Sequence, residues 1–138
     1  MRSLVVDTNV VSFLLRRDSR RELYRENLTG ARLCVAFVTV AELRFGALNR
    51  NWGPKRMAEL AQALRAYVTI GFDDDTVWQF AKIADRERRA GRNRENPNDW
   101  WIAACALRHG IPLVTHNPRD FVGIPGLQLL SHAPDASK

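Results

Sequence analysis

The sequence predicts a single α/β domain with a mainly parallel central sheet of four or five strands flanked by helices. Three observations predict it. Short apolar runs recur along the chain, several are followed by apolar residues at helical spacing, and Gly, Pro or Asp punctuates the joins. Right-handed crossovers between parallel strands then put helices on both faces of the sheet. At 138 residues the chain has room for one core and not for two.

Each element has its own warrant. Leu4-Val5-Val6 is a strand, Asp7-Thr8 a turn, and Val10, Val11, Phe13 and Leu14 recur at helical spacing. Leu33 to Val38 is a second strand, and Ala41, Leu43, Phe45 and Leu48 suit a second helix after Thr39. Asn51-Trp52-Gly53-Pro54 is a loop, after which Met57, Leu60, Ala61 and Leu64 mark a helix ending near Ala66. Tyr67 to Phe72 reads as a third strand, and Asp73-Asp74-Asp75 as the acidic start of a helix running to about Ala90, closed by Gly91. Arg92 to Pro97 is a polar loop and Asn98 to His109 a helix closed by Gly110. Pro112 to Thr115 is a fourth strand, and Leu127 to Leu130 is a candidate fifth. The domain therefore covers residues 1–130, with 131–138 expected as a loose tail.

Composition narrows the function classes. Hydrophobic residues make up 46% and charged residues 26%, ordinary values for a chain with a packed core. No apolar run approaches the roughly 20 residues of a membrane helix, and the opening residues carry an acid where a signal peptide stays apolar. The expected location is the cytoplasm. Cys34 and Cys105 are far apart and outside any CxxC pair, so neither a disulfide scaffold nor a zinc knuckle is suggested. The net charge of +6, supplied almost wholly by arginine, favours a polyanionic partner such as nucleic acid, although a merely basic surface accounts for it equally well.

In a sheet of this kind ligands gather beyond the carboxyl ends of the strands, where strand order reverses. Asp7 ends the first strand, Glu42 follows the second, Asp99 begins the late helix and Asn117 follows the fourth strand, so all four belong to that edge. Each has a plainer explanation. Thr39-Val40-Ala41-Glu42 fits a capping box, Asn96-Pro97-Asn98-Asp99 fits a capped helix start, and Asp7 fits an N-cap. Taken together they are harder to dismiss, because three acids at one edge repel unless a cation offsets them. Magnesium suits such a site, since it binds through a few carboxylates and keeps several waters. Phosphodiester hydrolysis is the matching chemistry.

The residues that carry these arguments resemble a known family. Val6-Asp7-Thr8-Asn9 with Ser12, Thr39-Val40-Ala41-Glu42-Leu43 with Gly46, Asn98-Asp99 with Ile102-Ala103-Ala104, and Leu113-Val114-Thr115 through Asp120-Phe121 are similar, in that order, to the motifs of PIN-domain nucleases. Within that family the resemblance is to the VapC toxins of bacterial toxin-antitoxin pairs. It implies an endoribonuclease using magnesium or manganese, with Asp7, Glu42 and Asp99 as metal ligands. It also implies a cut in transfer or ribosomal RNA, a homodimer, and a small VapB-like antitoxin as inhibitor. The fourth position is open between Asn117, nearest the strand end, and Asp120, which keeps the charge. The expectation is that neutral Asn117 positions water or a weaker second ion. Thr8, Thr115 and His116 are candidate substrate contacts. Two other functions compete, a PIN nuclease of RNA maturation and a nucleic-acid-binding module without catalysis.

Arg86, Arg88, Arg89, Arg92 and Arg94 would grip phosphates or form a solvated face, since Asp85, Glu87 and Glu95 are interleaved. Of the adjacent Trp100 and Trp101, at least one belongs to the core, because neighbouring helical positions point in different directions.

Overall fold

The computed structural model describes residues 1–92 and 96–134. Among them five parallel strands form one sheet in the order β3-β2-β1-β4-β5. These are β1 (Ser3–Val6), β2 (Arg32–Ala36), β3 (Val68–Ile70), β4 (Leu113–Val114) and β5 (Leu129–Leu130). The helices are α1 (Thr8–Leu15), α2 (Arg25–Leu28), α3 (Phe37–Asn49), α4 (Pro54–Leu64), α5 (Asp74–Arg89) and α6 (Pro97–His109), with 3-10 turns at Ser19–Tyr24 and Pro118–Asp120. The expected α/β class and all five strands are present, each strand shorter than its apolar run except β1. The segment from Ser19 to Leu28, which carries no clear period, is helical in two short pieces.

Strand pleating sorts the core. Leu4 and Val6 of β1, Val35 of β2 and Val114 of β4 pack on one face with Val10 and Val11 of α1, Tyr24 and Leu28. Val5, Cys34, Ala36 and Leu113 face the other way, onto Ile83 of α5 and Ile102 to Ala106 of α6. A third, smaller cluster joins Ala47 of α3 to Leu60 and Leu64 of α4, so these two helices form a hairpin with its own apolar seam. Both tryptophans of α6 pack against the core, Trp101 stacked on Phe80 with ring centroids 4.1 Å apart and Trp100 edge-on to the same ring. The expectation for one of them thus holds for both.

The helix ends follow elementary capping rules. Asn96 accepts a bond from the Asn98 backbone at 3.1 Å and Pro97 takes the first helical position of α6, whose carboxyl end closes on Gly110 at φ +64°. Asp73 and Thr76 form a reciprocal capping box on α5. The proposed box at Thr39 and Glu42 does not exist. Helix α3 starts two residues earlier than Thr39, straight off β2 with Ala36 at its cap position, and so Glu42 falls in the second turn with its carboxylate free of capping work.

Chain order and spatial order part company at β1. The chain lays β2 and β3 to one side of it, then crosses back and adds β4 and β5 on the other. The carboxyl ends of β1 and β4 are therefore the switch point of the sheet. Of the residues expected as a loose tail, 131–134 are described, and His132 is tied to the core by its backbone N–H, which donates to the Tyr24 hydroxyl at 3.1 Å. Residues 135–138 lie outside the described chain.

Candidate active site

Asp7 and Thr115 stand one residue beyond the last paired positions of β1 and β4, Val6 and Val114. That register brings them face to face. The Thr115 hydroxyl donates to Asp7 Oδ2 at 2.6 Å, and the Thr8 backbone N–H donates to Asp7 Oδ1 at 2.8 Å, so both carboxylate oxygens are held. Asp7 is also the N-cap residue of α1, as its plainer reading requires. It is only 5% exposed, and burial pushes its pKa up to about 6 against those two hydrogen bonds. A serine would cap as well without that desolvation penalty, which is a reason to look for another role.

Glu42 reaches the same edge from α3. The Thr8 hydroxyl donates to Glu42 Oε1 at 2.8 Å, and the buried Thr39 hydroxyl lies 3.0 Å from the Thr8 oxygen. A hydroxyl carries one proton, so Thr8 passes a bond from Thr39 on to Glu42. Glu42 and Asp120 both raise the pKa of Asp7 through space.

Asp99 sits in the first turn of α6, and its carboxyl is pushed up to about 7. Burial is the largest cause; the charges of Asp120, Asp7 and Glu42 follow, then a hydrogen bond shared with Asp120. Four carboxylates from four elements therefore act on one another here. Asp120 lies in the Pro118–Asp120 turn, and the Asn117 amide nitrogen donates to its Oδ2. Asn117 N–H in turn donates to the Thr115 hydroxyl at 3.0 Å. Asn117 is thus occupied with Asp120, while Asp120 is the one that meets Asp99. The sequence separation of three residues hid this, because the tight turn folds Asp120 back over the strand end.

The donor set is all oxygen, mostly anionic and partly buried, and it fits a hard divalent cation. Among the described residues no three His, Cys, Asp or Glu side chains yet stand at metal-holding distance.

Removing the Thr115 hydroxyl gives a first test of this geometry. Thr115→Val keeps the shape and leaves Asp7 Oδ2 buried without its donor, at a cost of roughly 1–3 kcal/mol. Chemical unfolding should read that loss. A change within error would mean that the bond contributes nothing to holding Asp7.

The arginines between 86 and 92 are mostly paired on their own helix. Arg88 and Arg89 clasp Asp85 at 2.7 and 2.8 Å, and Arg92 lies 2.7 Å from the buried Glu87. Arg94 and Glu95 lie outside the described residues.

Comparison with known proteins decides the family. The PIN domain model matches residues 4–127. Ribonuclease VapC5 of Mycobacterium tuberculosis is 33% identical over 124 residues, covering 88% of this chain and 87% of its own. The chain belongs to the VapC branch of the PIN-domain family. A further VapC relative, the tRNA(fMet)-specific endonuclease of Salmonella typhimurium, is 28% identical and covers 94% of this chain and 97% of its own. The DNA-bound VapBC complex of Salmonella typhimurium superposes with a TM-score of 0.79 at 27% identity, over 95% of this chain and 98% of that one. The VapBC2 complex of Rickettsia felis has the same fold at a TM-score of 0.80 and 21% identity, covering 94% of this chain and 98% of its own. Among the described residues, no helix is long and apolar enough to cross a membrane.

Proposed function

We propose that this VapC-family chain is a magnesium-dependent endoribonuclease toxin that cuts structured RNA in the cytoplasm and is restrained by a VapB-like antitoxin. The observation that carries this reading is the gathering of Asp7, Glu42, Asp99 and Asp120 at the sheet switch point, where burial and mutual charge push Asp7 up to about 6 and Asp99 up to about 7. Such a cluster costs stability unless a cation neutralises it, and perturbed acids gathered at a ligand-binding edge are a functional signature. The tRNA-specific relative supports transfer RNA as the substrate class, and the VapBC complexes support the antitoxin.

Asp7, Asp99 and Glu42 would hold the magnesium, with Asp120 as the fourth acidic donor; manganese would substitute. An ion held by these residues would supply a water of lowered pKa and neutralisation of charge on the phosphoryl oxygens. The protein's own part is placement. Thr115 and the Thr8 N–H fix both oxygens of Asp7, Thr8 turns Glu42 inward, and Asn117 steers Asp120 toward Asp99. Asn117 thereby serves the acid rather than the water.

The test is cleavage of total bacterial tRNA by the purified chain, with magnesium, manganese or EDTA, and with or without a co-expressed antitoxin. Cleavage that needs the ion and is blocked by the antitoxin is the expected result. Cleavage that persists in EDTA overturns the mechanism. RNA binding without any cutting favours the non-catalytic module, and a chain insensitive to an antitoxin favours RNA maturation. Light scattering is expected to give a homodimer.

The fourth position has its own comparison. Asp120→Ala should lose cleavage more severely than Asn117→Ala, because the amide acts only through Asp120. Metal titrations of both variants, and of Asn117→Asp, measure the difference; equal or reversed losses would return the position to Asn117.

With a net charge of +6, RNA affinity should also fall steeply with salt, as counterion release requires. A flat response in a salt series would contradict a phosphate-gripping surface.

A further inference from the structure

Beside the acids lies a second cluster that the metal chemistry does not use. Tyr24 is fully buried, with its hydroxyl at the carboxyl edge of β4. Three groups meet that oxygen: the His132 backbone N–H at 3.1 Å, the Thr115 carbonyl at 3.4 Å and Nδ1 of His116 at 2.5 Å. His132 N–H can only donate, so the tyrosine oxygen accepts there and has one proton left to give. The carbonyl is at the outer limit of a hydrogen bond, whereas His116 Nδ1 is close. The much closer contact favours the proton going to Nδ1, with the neutral ring's own proton on Nε2, over the arrangement in which Nδ1–H donates to the tyrosine and the tyrosine to the Thr115 carbonyl.

The ring is also fixed in orientation. Phe13 and Tyr24 both meet it edge-on, with centroids 5.1 and 5.7 Å away, and its backbone N–H is 3.3 Å from Asn9 Oδ1. Arg20 lies over the Phe13 ring at 4.2 Å and turns back to Asp18. Among the described residues, no side chain hydrogen-bonds Nε2. A partly buried imidazole is thus held in orientation, one residue from Thr115 and Asn117, with its Nε2 side turned away from the Tyr24 contact.

We propose that His116 is a substrate-binding residue whose Nε2–H donates to a phosphate oxygen of the RNA strand, and that Tyr24 is the positioning residue that fixes this tautomer. The proposal rests on the ribonuclease reading above. A neutral donor with a fixed direction reads where the strand lies beside the acids, and it adds no charge that would compete with a cation there. The bond from His132 ties the segment after β5 to the same tyrosine, so the end of the described chain contributes to aiming the ring.

Two measurements test it. Long-range proton–nitrogen NMR of the full chain should show His116 with unprotonated Nδ1 and protonated Nε2, and Tyr24→Phe should return the ring to a mixture. The opposite tautomer in the wild type overturns the assignment, as does an unchanged ring in Tyr24→Phe. Fluorescence anisotropy with labelled total tRNA in EDTA, where the probe is not cut, reads the contact. His116→Ala should weaken binding about ten-fold, the scale of one hydrogen bond to a charged oxygen. His116→Gln places an amide N–H near the Nε2 position and should recover most of the affinity. His116→Asn mimics only the Nδ1 side and should not. A merely structural role would make both amides alike, and wild-type affinity in His116→Ala would sink the proposal outright. A wild-type chain that binds no tRNA would overturn the nuclease reading itself, with the substrate role of His116.

Discussion

Asp99→Asn should abolish RNA cleavage and at the same time make the metal-free protein more stable. Both effects come from one charge. Asp99 is half-buried, feels Asp120, Asp7 and Glu42, and is pushed up to about 7, so at pH 7.5 the folded chain holds an ion there against repulsion. The amide removes that charge while keeping a group able to hydrogen-bond Asp120. Relief of about 1 kcal/mol raises the melting temperature by roughly 2–8 °C in a domain of this size range. Activity is expected to move the other way, because on the proposed reading the lost oxygen anion would be one of the few protein ligands of the ion. A fall of roughly 100-fold or more is expected, equivalent to about 3 kcal/mol of transition-state stabilisation. Calorimetry and single-turnover cleavage check the two halves. Lower stability with retained cleavage would mean that Asp99 is an ordinary first-turn acid serving the helix dipole.

The second large effect is a stability that declines with pH and is restored by magnesium. Asp7 and Asp99 titrate in the folded protein near 6 and 7 and in the unfolded chain near 3.8. Between those values the folded state binds more protons, so stability falls as pH rises. The contribution is complete below about pH 4 and is lost as pH rises through 6 and 7. For Asp7 alone, a shift of about two units corresponds to roughly 3 kcal/mol. His116 works in the opposite direction, since burial lowers its pKa, but it is one group against two. The acids held low by arginine, Asp18, Asp73 and Asp85, titrate below this window. The metal-free chain should therefore melt at a lower temperature at pH 8 than at pH 5. Millimolar magnesium should raise the melting point far more at pH 8, where the carboxylates are ionised and ready to bind. A flat pH profile, or equal stabilisation by magnesium at both pH values, would remove the case for a carboxylate cage.

Most of the fold was legible because its signals are local. Leu4-Val5-Val6, Leu33 to Ala36 and Leu113-Val114 are short buried runs, and the helix between Asn96 and Gly110 carries its cap, its proline and its terminating glycine in its own sequence. Where local signals competed, tertiary structure decided. Phe37 and Val38 read as strand, but β2 has no partner for them beyond Ala36, whose register with Ile70 ends the pairing. The chain turns into α3 there, and this carries Glu42 away from the cap position that its plainer reading assigns it.

The candidate site divides in the same way. The sequence by itself determined that Asp7 stands at a strand end and Asp99 at a helix start, and that Glu42 lies in the helix after the second strand. What it did not determine is which groups touch: that the Thr115 hydroxyl holds Asp7 across 108 residues, that Asn117 spends its amide on Asp120, and that Tyr24 faces His116 across 92 residues. The reason is physical. Periodicity and capping depend on neighbours within a turn or two, whereas these contacts exist only once strand order 3-2-1-4-5 places β4 beside β1 and pleating sets the register between them.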